Sequence, residues 1–91
     1  MPADRVFDIR APYCVDEAVS IRPEPFGALA YHYGSRRLTF LRSTLLADLV
    51  RQLGEHPSAD AALQSLVPAP ERDKYRVALQ SLFESRFLRA V

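Results

Sequence analysis

The chain of 91 residues has one cysteine, no tryptophan, three glycines and one unit of excess charge. A lone Cys14 excludes an internal disulfide framework and cannot by itself build a zinc site. Gly27, Gly34 and Gly54 are too scattered for a phosphate-cradling loop, and no G-x-S-x-G is present. No apolar run approaches the ~18 residues of a membrane helix. The opening MPADRVFDIR lacks the apolar stretch of a secretory signal. Twelve Lys and Arg stand against eleven Asp and Glu, a balance unlike that of proteins built to lie on phosphate backbones. No internal repeat or low-complexity tract is visible. What is present is a hydrophobic content of 48%, enough for one packed core and too little chain for two. The expectation is a small, soluble, cytoplasmic domain whose composition names no activity.

Charge is unevenly spread: residues 1–25 hold five acids and three bases, residues 26–91 nine bases and six acids. Residues 1–18, with Pro2 and Pro12 and no sustained period, read as an N-terminal arm with a short extended piece around Val6–Ile9. Residues 19–91 read as the domain proper. Val19 and Ile21 alternate with Ser20 and Arg22, the period of a half-buried strand, which Pro23 and Pro25 stop. Phe26-Gly27 turns into a second run, Ala28 to Tyr33. A third run, Arg36 to Arg42, follows Gly34-Ser35.

Gly34-Ser35 suits a two-residue type II′ turn. That turn pairs Tyr33 with Arg36, Tyr31 with Leu38 and Leu29 with Phe40. One face then carries Leu29, Tyr31, Leu38 and Phe40. The other carries Ala28, Ala30, His32, Arg37, Thr39 and Leu41, and a slip by one residue would destroy the sorting.

From Ser43 the period lengthens to about 3.6. Leu45, Leu46, Leu49, Val50 and Leu53 form one stripe, with Ser43 or Thr44 as N-cap and Gly54 as a stop. A second short helix starts at Ser58 and presents Ala62, Leu63 and Leu66 before Pro68 and Pro70. A third carries Glu71 and Asp73 in its first turn and a stripe of Tyr75, Ala78, Leu79, Leu82 and Phe83. Phe87 to Val91 fits either an extended segment or a helical continuation. The order of three strands and then three helices predicts an α+β fold, a three-stranded antiparallel sheet followed by three helices, winged-helix-like.

Chemistry-bearing constellations are scarce. His32, His56 and Cys14 lack metal-site spacing, and the carboxylates fall on expected solvent faces or in first turns, so no metal, cofactor or catalysis is expected. A winged-helix reading raises nucleic acid, with Arg72, Lys74 and Arg76 on the third helix. Glu71 and Asp73 nearly neutralise that surface. The third strand is more informative. It is an edge, it has no proline or glycine between Arg36 and Arg42, and its ladder can accept a foreign strand. The arginines serve equally as gatekeepers against aggregation. Pairing of this edge with a second copy, in a homodimeric structural or regulatory domain, is the other alternative.

The block Arg22-Pro23-Glu24-Pro25-Phe26-Gly27-Ala28-Leu29-Ala30-Tyr31-His32-Tyr33-Gly34, followed by Arg36-Arg37-Leu38-Thr39-Phe40-Leu41, resembles the peptide chaperones of mycofactocin biosynthesis. These belong to the recognition elements of ribosomally made, modified peptides and are related in fold to the pyrroloquinoline-quinone pathway chaperone. The resemblance implies a binding protein rather than an enzyme, which holds the leader of a short precursor peptide and presents it to a radical S-adenosylmethionine maturase. That maturase oxidatively decarboxylates the precursor's C-terminal tyrosine. The resemblance further implies a leader lying antiparallel to the third strand, between it and the third helix. The strand side would be Arg36, Arg37, Leu38, Thr39, Phe40 and Leu41, and the helix side Tyr75, Leu79, Leu82 and Phe83. Such a receptor would work as a monomer or weak homodimer, without nucleic acid or membrane. Leu41→Pro, or glutamate at Leu79, is then expected to abolish peptide binding. By elimination, the His32–Arg37–Thr39 face is left for the maturase. Ser85-Arg86 departs from the glycine-centred turn that often follows helix three in related elements.

Overall fold

The computed structural model describes residues 6–91. The elements are β1 (Tyr13–Val15), β2 (Val19–Glu24), β3 (Gly27–His32), β4 (Arg37–Leu41), α1 (Thr44–Gln52), α2 (Ala59–Leu66), α3 (Arg72–Glu84) and β5 (Leu88–Ala90). Short 3-10 turns at Leu53–Glu55 and Ala69–Glu71 lead out of α1 and into α3. The three-stranded antiparallel meander β2-β3-β4 followed by three helices is the expected α+β arrangement. A second, two-stranded sheet pairs β1 with β5.

That second sheet alters the reading of the N-terminal arm. Val6–Ile9 forms no strand. The strand lies at Tyr13–Val15, opposite Leu88–Ala90, which also resolves the chain's last residues as extended. Tyr13 is buried, stacks on Phe7 and meets Phe83 edge-on at 5.1 Å. The carbonyls of Ile9 and Ala11 accept the Asp60 and Ala59 N–H groups at the start of α2, satisfying donors that a helix N-terminus leaves orphaned. Most of the arm is therefore built into the core. Its first five residues lie outside the described residues.

The β3–β4 register is the expected one, with Leu29 opposite Phe40 and Tyr31 opposite Leu38. The turn is different. Ladder pairing stops at His32 and Arg37, so Tyr33–Arg36 forms a four-residue loop in place of a two-residue type II′ turn. Arg36 takes the left-handed conformation (φ 62°), and its N–H donates to the His32 carbonyl. The side chain of His32 explains why the loop opens. Its Nδ1 accepts from the Gly34 and Ser35 N–H groups at 3.0 and 3.1 Å, holding the loop from inside.

The helices cover the face of small side chains. Ala28, Ala30 and Leu41 are almost fully buried, and His32 lies inward with its ring edge-on to Phe87. The alanines let α1 approach β3 closely, and Leu49, Leu53, Leu63, Leu79 and Phe83 fill the space beyond. Burial of each such large side chain contributes roughly 1.5–3 kcal/mol. The His32–Arg37–Thr39 face, set aside above for a maturase, is thus largely occupied by this protein's own helices. The face with Leu29, Tyr31, Leu38 and Phe40 is the uncovered one.

Helix ends follow local chemistry. Ser43 and Ser58 cap α1 and α2, their hydroxyls accepting from Leu46 and Ala61 N–H. α3 ends in a Schellman turn, in which Phe87 N–H reaches the Leu82 carbonyl and Arg86 N–H the Phe83 carbonyl. Arg86 holds the left-handed position (φ 70°) where glycine is usual.

Candidate peptide-binding edge and groove

The meander order makes β2 and β4 the two edges of the main sheet. Their outward groups follow from the ladder. Tyr33 N–H donates to the Ala18 carbonyl, in step with the Val19–His32 pairing. In an antiparallel ladder, hydrogen-bonded pairs recur at every second residue. Tyr31 and Leu29 therefore bond toward β2, whereas Ala28, Ala30 and His32 bond toward Leu41, Thr39 and Arg37 of β4. Leu38 and Phe40 are left with N–H and C=O groups directed away from the sheet. Among the described residues, none of these groups has a backbone partner.

Beside this edge runs a groove floored by α3. One cavity of about 150 Å³ is lined by Thr39, Phe40, Leu41, Leu46, Ala78, Ser81 and Leu82. The next, about 200 Å³, is lined by Arg42, Ser43, Leu46, Lys74, Tyr75 and Ala78. They share Leu46 and Ala78, so they form one trough. The small side chains of Ala78 and Ser81 on α3 leave the space. Its end is fixed by a 3.1 Å hydrogen bond between the Ser43 and Tyr75 hydroxyls, which ties the start of α1 to α3.

Thr39, Phe40, Leu41, Tyr75 and Leu82, all expected at a peptide site, come together here. Leu38 and Phe40 send their side chains to the outer face, about half exposed. Arg36 and Arg37 are exposed at the loop end of β4. Leu79 and Phe83 are core residues, 0% and 3% exposed, and line neither cavity. The rotation of α3 turns Lys74, Ala78 and Ser81 to the groove instead. Ser43, Leu46, Ala78 and Ser81 were not expected at the site, although Ala78 is the one small member of an otherwise large apolar stripe. Because Leu41 is 1% exposed and bonds to Ala28, Leu41→Pro and Leu79→Glu would test folding before binding.

The outer face is itself apolar. Leu29, Tyr31, Tyr33 and Leu38, with Ser20 and Arg22, surround a depression of about 390 Å³. Toward the end of β4, a hollow of about 470 Å³ is lined by Phe26, Phe40 and Arg42. Gly27 makes that end possible: at φ 146° a side chain there would strike the Leu41 carbonyl and come within 2.7 Å of the Ser43 carbonyl. Among the described residues no cluster of His, Cys, Asp or Glu could hold a metal ion, and no helix is long and apolar enough to cross a membrane.

Comparison with known proteins bears on this architecture. Residues 12–89 match the peptide chaperone MftB family. The chain belongs to that family. It is 39% identical over 83 residues to the peptide chaperone MftB of Mycolicibacterium smegmatis, covering 90% of this chain and 81% of that one. It is 42% identical over 71 residues to the peptide chaperone MftB of Mycobacterium ulcerans, covering 77% of this chain and 65% of the relative. The Mycobacterium tuberculosis protein of the same name is 39% identical over 71 residues. No solved structure matches. The matched span takes in β1, the meander, all three helices and all but the last residue of β5.

Proposed function

We propose that the protein is a peptide chaperone of mycofactocin biosynthesis that receives the leader of a precursor peptide as a fourth strand on β4. It then delivers that peptide to a radical S-adenosylmethionine maturase. It acts by binding, without catalysis of its own. The observation that carries this reading is the open edge at Leu38 and Phe40 beside a preformed apolar groove. Main-chain pairing supplies geometry with little dependence on sequence, and side chains entering the groove supply specificity. A disordered leader loses conformational entropy on ordering. A groove already shaped by the Ser43–Tyr75 bond limits the additional cost to the receptor. Arg36, Arg37 and Arg42 attract acidic leader residues and raise the association rate.

The outward parity gives a clean test. Leu38→Pro deletes an edge donor that β3 does not use. Calorimetry with a synthetic mycofactocin precursor peptide should show at least tenfold weaker binding, with an unchanged circular dichroism spectrum. Native affinity in the folded variant would reject strand addition.

A further inference from the structure

We propose that the hollow formed by Phe26, Phe40 and Arg42 is a second reading site for the same peptide, taking a large apolar side chain with a carboxylate nearby. This rests on strand addition at β4 and deepens it. In an antiparallel ladder, residues directly opposite each other send their side chains to the same face. A guest strand bonded to Leu38 and Phe40 therefore turns the residues opposite them toward the outer face. The residues in between enter the groove over α3. A receptor with only a groove would read every second residue and leave the rest in water.

The outer face beside Phe40 is built to be occupied. Phe26 reaches across from the β2–β3 turn and meets Phe40 edge-on at 5.8 Å. The two rings remain 43% and 49% exposed. The Arg42 guanidinium lies 5.4 Å from the Phe40 ring centre, and among the described residues no carboxylate pairs with it. From Phe26 to Arg42 the sequence has three arginines and no acid. A guest side chain opposite Phe40 sits about 5 Å away at Cβ, within reach of the hollow. Its apolar body would cover both rings, and a neighbouring carboxylate would meet the unpaired guanidinium. Two copies meeting through this face would instead bring arginine toward arginine.

The probe is a synthetic precursor peptide together with its single-residue alanine scan, titrated calorimetrically into the native protein, Phe26→Ser, Ser81→Glu and Arg42→Glu. Phe26 and Ser81 are both exposed, so the fold should survive, and circular dichroism checks it. Native protein should show two interleaved sets of sensitive peptide positions, offset by one residue. Phe26→Ser should weaken binding about tenfold, the effect of losing part of a buried aromatic contact, and erase the sensitivity of one set only. Ser81→Glu should affect the other set. Arg42→Glu should weaken binding, and exchanging an acidic peptide residue for arginine should restore it.

Binding of Phe26→Ser within twofold of native, with a single alternating set in the scan, would overturn the hollow while leaving the edge intact. If Leu38→Pro also bound normally, strand addition itself would fall. A concentration-dependent mass in sedimentation that Phe26→Ser abolishes would assign the hollow to a second copy and overturn the proposal.

Discussion

Along β2 the groups facing away from the sheet belong to Val19, Ile21 and Pro23, and Pro25 follows in the turn; along β4 they belong to Leu38 and Phe40. The proline removes a donor from the first edge. The second keeps every donor and acceptor and has an apolar trough beside it. Free edges are a liability that folded proteins blunt, and this protein blunts one and leaves the other open. The difference teaches that openness here is selective: prolines stand where pairing would serve nothing, and none stands where α3 offers side-chain pockets.

The contrast depends most on Gly27, which lets the turn out of β2 close over the end of β4. Gly27→Ala should destabilise by on the order of 3 kcal/mol or more, since both the backbone conformation and a carbonyl contact are lost. A thermal or urea melt reads this directly. Next in size is a pair of proline exchanges. Leu38→Pro should cost at least tenfold in peptide affinity, about 1.4 kcal/mol. Pro23→Val, which opens β2 without giving it a groove, should leave affinity within twofold. Equal effects from the two exchanges would dissolve the distinction between the edges. Ser43→Ala removes the cap of α1 and the partner of the Tyr75 hydroxyl, so a loss of about 1 kcal/mol is expected, with a matching weakening of peptide binding if the trough loosens. Arg86→Gly lies outside both edges and should stabilise by roughly 0.5–1 kcal/mol, because glycine takes the left-handed position without strain. It should leave affinity unchanged.

Local patterns carried the meander, its register and the helices, because period and turn chemistry are written within each segment. The covered face was not legible. Alternation separates Leu29, Tyr31, Leu38 and Phe40 from Ala28, Ala30 and His32 without saying which set meets the helices, and here close helix packing favoured the alanines. The role of His32 was not legible either, because its two acceptor contacts exist only once the loop has formed. β1 was missed for another reason: three residues are too few to show a period, and the partner strand stands at the other end of the chain. On α3 the stripe was right, but the helix turns Leu79 and Phe83 into the core and presents Ala78 and Ser81 to the trough. The candidate site was therefore legible on its strand side and only partly on its helix side.

The pairing of Tyr13 with Ala90 has an architectural consequence. Val91 N–H reaches the Pro12 carbonyl at 3.2 Å, so the segment before the meander and the segment after α3 clasp each other through the smaller sheet. Loosening either half of that clasp would release the other, at a place remote in sequence from the meander and its β4 edge.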